Sequence, residues 1–148
     1  MAVTLQDVLL AKDVRPKVVT DCQKLVEEEV KDKSGISGTA IKAAYKTVNA
    51  FASGIIHDAV DTLLPEMLAK LEPYWAAFTD EGGGDFGGYL SDRGGEVSEA
   101  LLSVTDARAA ASTRAPIRKA YNMIRSSGVK NVETALPRLG ALIQKYMS

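Results

Sequence analysis

One cysteine, one histidine and one tryptophan stand among the 148 residues, and each scarcity removes a class of chemistry. Cys22, being alone, forbids an internal disulfide and points to a reducing, cytoplasmic setting. Zinc sites built from Cys and His fail for want of ligands. A di-iron bundle that draws a Glu-x-x-His from each of two helices needs a second histidine beside His57. No charge-free apolar run approaches the roughly 18 residues of a membrane span. The start, "MAVTLQDVLLAKD", has no basic n-region and carries Asp7 inside its apolar stretch, so it does not read as a signal peptide. A G-x-S-x-G elbow and a G-x-x-x-x-G-K-[ST] phosphate loop are also missing. These gaps lead us to expect a soluble protein that is not an enzyme and holds neither metal nor cofactor.

What is present is helical. Hydrophobic residues make up 46% of the chain and charged residues 25%, the balance of a globular protein whose length suits one domain, residues 1–148. Thr4 suits an N-cap with Asp7 at N3 and a Val3–Val8 staple. Val14, Val18, Cys22, Leu25, Val26 and Val30 recur at three- and four-residue steps behind Pro16, which a first turn tolerates. Cys22 thus falls on a buried stripe, where a thiol is an inert small hydrophobe. Ile41, Ala44, Tyr45 and Val48 mark a third helix. The stretch from Ile56 to Phe78 keeps the helical step across Pro65 and Pro73, each expected to open a fresh short helix. Val97, Leu101 and Val104 share a stripe, with a break or cap near Thr105-Asp106. Ile117, Ala120, Tyr121 and Ile124 share another, ended by Gly128. Val132, Leu136, Leu139, Ile143 and Tyr146 follow a 4-3-4-3 spacing. Strand-like alternation is missing, so the fold class is all-α: a compact bundle of six to eight helices.

Two glycine patterns imitate ligand loops. In "KSGISGTAIK", residues 33–42, Gly35 opens a G-x-x-G like that of KH domains, but no strands flank it. It reads as a helix-to-helix joint: Gly35 closes one helix at C′, Ser37 caps the next, and Ile36 staples Ile41. A weaker alternative is an anion at the first turn (Gly38, Thr39, Ala40) near Lys33 and Lys42. The segment 82–95 holds seven of the 12 glycines and matches G-x-G-x-x-G at Gly82, Gly84 and Gly87. Lacking a preceding strand and surrounded by Asp80, Glu81 and Asp85, it reads instead as a mobile surface loop.

Charge is polarised. Residues 51–100 carry 2 basic against 10 acidic side chains, and residues 101–148 carry 8 against 2. Arg114, Arg118 and Arg125 fall within about 40° on the helical wheel, a candidate anion or partner contact with Lys33 and Lys42. Without a chain-wide basic excess nucleic acid is disfavoured, and pairing with the acidic middle third is expected. Glu27-Glu28-Glu29 spreads around its helix and reads as no focused site. His57 with Asp58 and Asp61 reads as a solvated edge. Trp75, Phe78 and Tyr121 are the candidate lining of a bundle pocket, gated by the glycine segment.

"KSGISGTAIKAAYKTV", "LLPEMLAKLEPYW" and "ALLSVTDARA" resemble segments of a small helical family, found mainly in actinobacteria, that is known only as a domain of unknown function. The resemblance spans roughly residues 5 to 145 and implies a cytoplasmic all-helical protein without transferring any catalytic residue. The leading expectation is a module acting through protein contacts, its own copies included. The alternative is a binder of a small apolar or anionic ligand in a bundle pocket.

Overall fold

Thr4 opens the first helix as its sequence predicts. Its hydroxyl accepts from the Asp7 N–H at 3.0 Å and the Asp7 carboxylate accepts from the Thr4 N–H at 3.1 Å, a complete capping box. The computed structural model describes residues 3–33, 35–51 and 54–147. They form α1 (Leu5–Leu9), α2 (Arg15–Asp32), α3 (Gly35–Phe51), α4 (Ile55–Asp80), α5 (Phe86–Asp92), α6 (Gly94–Ala111), α7 (Ala115–Arg125) and α8 (Gly128–Met147). No strand occurs among the described residues. The fold is all-α, as the periodicity requires.

Four long helices form a ring in which α2 meets α4, α4 meets α6, α6 meets α8 and α8 meets α2. Side-chain pairs fix their directions. Gln23 and Arg15 of α2 reach His57 and Asp61 of α4. Asp21 and Asp32 of α2 reach Lys145 and Arg138 of α8. Each neighbour is therefore antiparallel. The remaining helices fill the connections: α3 and α7 pair across one pole, while α1 and α5 close the other. Leu5, Leu9, Phe86 and Leu90 are all 0% exposed there.

α4 departs from the sequence reading. Pro65 and Pro73 do not start new helices; both lie inside one helix of 26 residues. Proline removes the N–H that would bond the carbonyl four residues back. For Pro65 that carbonyl belongs to Asp61, and the Arg15 guanidinium donates to it at 2.8 Å while its Nε holds the Asp61 carboxylate at 2.9 Å. A partner from α2 thus replaces the missing backbone bond.

The glycine-rich stretch is also not one loop. Within it, residues 81–85 and the single turn residue Arg93 are non-helical, the former passing through Gly82, Gly83 and Gly84 at φ 101°, 80° and 117°, a region that glycine alone enters readily. The chain then forms α5, whose Gly87 lies directly on α8. A Cβ on Gly87 would stand 2.7 Å from the Pro137 carbonyl oxygen, and one on Gly140 would overlap the Gly87 backbone. Gln144 of α8 clamps the start of α5, accepting from the Phe86 N–H at 3.0 Å and donating to the Gly84 carbonyl at 2.6 Å.

Three boundaries move. Lys33 ends α2 in an extended conformation and α3 begins at Gly35, so Gly35 is helical and Ser37 lies within the helix instead of capping it. Gly38 is the glycine that the joint needs, since a Cβ there would come within 2.7 Å of the Lys33 carbonyl carbon. Gly128 opens α8 instead of merely ending α7, and α6 passes through Thr105-Asp106 without a break. Ser34 and the side chains of Ile36, Ser37, Val48 and Ile124 lie outside the described residues, so the Ile36–Ile41 staple does too.

The Gly140–Gly87 crossing makes a sharp prediction. Gly140→Ala should lower stability by about 1–3 kcal/mol or more through overpacking. Gly95→Ala, in helical open space, should raise it by up to about 1 kcal/mol. Urea denaturation of the two variants measures both; equal effects would contradict the crossing.

Candidate functional site

Between the long helices lies a partly open apolar cavity of about 330 Å³. Its wall is built from Leu9 of α1, Val26 of α2, Val60 of α4, Leu101 and Leu102 of α6 and Val132 of α8, among others. These positions follow from helical spacing, because residues three and four apart share one face. Neither an aromatic ring nor a charged side chain lines it among the described residues.

Two lining residues carry a polar atom. Cys22 is partly buried, and burial first, then the Asp21 carboxylate, pushes its thiol up to about 11. It stays protonated at neutral pH and is a poor nucleophile. Thr105 sits at the end facing α7, where its hydroxyl lies 3.0 Å from the Leu102 carbonyl and 2.8 Å from the Tyr121 hydroxyl. Tyr121 donates to Asp106 at 2.5 Å, and Arg125 grips both Asp106 oxygens at 2.7 and 3.1 Å. The Thr105 proton is thereby shared between Tyr121 and its own helix.

The expected pocket trio does not assemble. Trp75 and Phe78 join Phe86 and Tyr89 in a ring cluster at the α5 pole, with centroids 4.9 Å apart for Trp75–Phe86 and 5.0 Å for Phe78–Phe86. Tyr121 belongs to α7 at the opposite pole. The residues that line the cavity are aliphatic, so aromatic content was a misleading guide. The glycine segment gates nothing here, because α5 is docked on α8 and supplies no lining residue among those described.

The arginine stripe also divides. Arg125 is held by Asp106, with Glu99 at 3.9 Å. Arg118 donates to the Ser112 carbonyl at 2.5 Å. Nearby Arg108 meets Glu66 at 3.0 Å, so the acidic middle third supplies some partners. The larger ion-pair cluster was not foreseen. Arg138 of α8 gathers Glu28, Glu29 and Asp32 of α2 at 3.7, 2.6 and 2.5 Å. The acidic run on α2 is thus partly focused after all, and its partner is the basic last third.

Lys33 and Lys42 do not converge on an anion. Lys33 pairs with the buried Glu29 at 3.2 Å, while Lys42 is exposed on α3. With α3 starting at Gly35, the unbonded N–H groups belong to residues 35–37, not to Gly38–Ala40. His57 approaches Gln23 at 3.1 Å, and Asp61 is occupied by Arg15. No group of three metal-ligating side chains occurs among the described residues, and no helix is long and apolar enough to cross a membrane.

A family model described as a family of unknown function, DUF6918, matches residues 5–147. The chain belongs to that family. No curated protein and no solved structure matches it. Membership in DUF6918 agrees with the resemblance read from the sequence and brings no activity with it.

The carboxylates that bind arginine, lysine and tyrosine predict the acid limb of stability. Arg125 first, then Tyr121, holds Asp106 below its ordinary value; Arg138 does the same for Asp32, and Tyr146 followed by Lys145 for Asp21. A depressed folded value gives stability that is full above the unfolded value near 3.8 and is lost as pH falls through the folded value. Tyr146 has the opposite sign. Burial and its bond to Asp21 push it from 10.0 up to about 12, so its contribution is full below 10 and fades between 10 and 12. Melting temperatures followed by circular dichroism should be level around neutrality and fall at both ends. Tyr146→Phe should flatten the alkaline fall, and a melting curve as steep above pH 10 as the parent's would refute the assignment.

Proposed function

We propose that this protein binds a small apolar ligand in the cavity between α2, α4, α6 and α8, acting as a carrier or sensor and not as a catalyst. The observation that carries the reading is the cavity itself: about 330 Å³ of aliphatic wall, within the range of small-molecule sites. The contact-module expectation draws less support. Among the described residues the exposed large hydrophobics are Val3 and Met123, which stand apart on the α1 lead-in and on α7, whereas a docking face would want a contiguous patch. An anionic ligand is disfavoured by the same geometry, since Arg125, Arg138 and Lys33 are already paired with carboxylates.

The ligand reaches the cavity most directly at the seam between α2 and α8. Leu25 and Leu142 line both the cavity and a hollow on the outer side of that seam, so these two side chains are the thin part of the wall. Their rearrangement is a rotamer change, not an unfolding step.

The test is binding of n-heptane, followed by thermal shift and by the rate at which iodoacetamide modifies Cys22. Heptane should raise the melting temperature and slow the alkylation. Val132→Phe should place a ring in the cavity, abolish both effects, and leave stability unchanged or higher. In a filled core the same substitution costs about 1–3 kcal/mol. Loss of stability in Val132→Phe together with no heptane effect on the parent would overturn the proposal.

A further inference from the structure

Cations and carboxylates part company most sharply at the α3–α7 pair. Residues 33–57 carry three Lys or Arg side chains and residues 107–132 carry six, and neither segment holds an Asp or Glu. The remainder of the chain therefore has 9 cationic against 19 acidic side chains. Helices α3 and α7 pack mainly on each other, so the fold brings the two carboxylate-free segments together. Three of their cations are neutralised from outside: Lys33 by Glu29, Arg108 by Glu66 and Arg125 by Asp106. Lys42, Lys46 and Lys119 are exposed and form no ion pair among the described residues. Arg118, also exposed, hydrogen-bonds the Ser112 carbonyl, which leaves its charge in place.

On α7 these charges sit on a defined face. Ala115, Arg118, Lys119, Asn122 and Met123 occupy positions i, i+3, i+4, i+7 and i+8, and they border one shallow hollow open to solvent. Lys42 and Lys46, one turn apart, share a stripe of α3. Packed helices lie about 8–10 Å apart, and the Debye length at physiological salt is about 8 Å. The α3 lysines therefore add to the field at whatever surface α7 touches.

Two observations select among anionic partners. Met123 is 53% exposed within the cationic stripe, and a flexible thioether there suits the boundary between lipid headgroups and acyl chains. A nucleic-acid strand would instead want a ring free to stack. Tyr121, the aromatic residue of α7, is turned inward to Thr105 and Asp106. The four cations on these two helices also reach the size of cluster that holds a protein to an anionic leaflet.

We propose that the α3–α7 pair is a docking surface for an anionic lipid bilayer, with Lys42, Lys46, Arg118 and Lys119 among the headgroups and Met123 seated below them. Charge fixes the orientation, because the same leaflet repels the acidic remainder of the molecule. The contact is peripheral: among the described residues no helix is long and apolar enough to cross the membrane. It rests on surface charge and not on the cavity reading, although a bilayer is where a small apolar guest accumulates.

Vesicle flotation tests it, with phosphatidylcholine alone and with phosphatidylcholine containing about one-third phosphatidylserine. The protein should float with the anionic vesicles at low salt, stay behind with the neutral ones, and come off as salt rises. Lys42→Gln/Lys46→Gln/Lys119→Gln should weaken binding about a hundredfold, at about fivefold per cation. The control Lys12→Gln/Lys17→Gln/Lys24→Gln makes the same change in net charge at exposed positions elsewhere and should stay near the parent. Met123→Ser should weaken binding several-fold, and circular dichroism checks that each variant is folded. No flotation with the anionic vesicles, equal binding to the neutral ones, or an equal loss in both triple variants would overturn the proposal. So would unchanged binding by Met123→Ser, or tighter binding to a DNA duplex than to the anionic vesicles.

Discussion

The contact on which the architecture turns is the backbone-to-backbone crossing of α5 on α8. Gly87 and Gly140 meet with no room for a side chain on either, and Gln144 ties the start of α5 to the same helix. That closeness lets a helix of seven residues, too short to persist alone, hold Phe86 and Leu90 at full burial. Phe86 then packs edge-on against Trp75 and beside Phe78, and the aromatic mass of the core collects at one pole. The consequence reaches the other end of the ring. With the large flat rings drawn to the α5 pole, the space between α2, α4, α6 and α8 is left to short branched side chains.

How much of this could be read from the sequence depends on whether the decisive partner was near or far along the chain. The Thr4–Asp7 capping box and Pro16 in the first turn of α2 are local, and they appear where the sequence puts them. The continuity of α4 is not local. It depends on Arg15, whose guanidinium satisfies the Asp61 carbonyl that Pro65 abandons, and no feature near Pro65 announces that. The glycines of 82–95 carried loop composition, but the reason for Gly87 lies at Gly140 on another helix. Glu28, Glu29 and Asp32 look scattered on a wheel until Arg138 reaches across all three.

The site was less legible than the fold, and for a physical cause. A cavity is a shortfall of volume, which composition and periodicity do not record. Trp75, Phe78 and Tyr121 were sensible lining residues by type, yet rings fill space and so mark where a cavity is not. A usable signal was present in a different form: the facing stripes of α2, α4, α6 and α8 carry Val18, Val26, Val60 and Val132 among their leucines, with Cys22 in addition. Small residues facing one another across a ring of helices underfill it.

Underfilling on this scale is not neutral. Side chains that border unfilled space forfeit the contacts they would otherwise make, and packing of this kind costs stability. A sequence free to place Leu for Val, or Phe for Leu, has a direct route to recovering much of that. Its aliphatic walls therefore make sense if a guest supplies the missing contacts, since anything that binds the folded state alone stabilises it by mass action. The polar shell is consistent with the same division of labour. Arg15, Arg125 and Arg138 are each spent on a carboxylate of a neighbouring helix, so the ring is held at its rim by charge while its interior stays adaptable. On the proposed reading, stability at the rim and binding at the centre draw on different parts of the molecule.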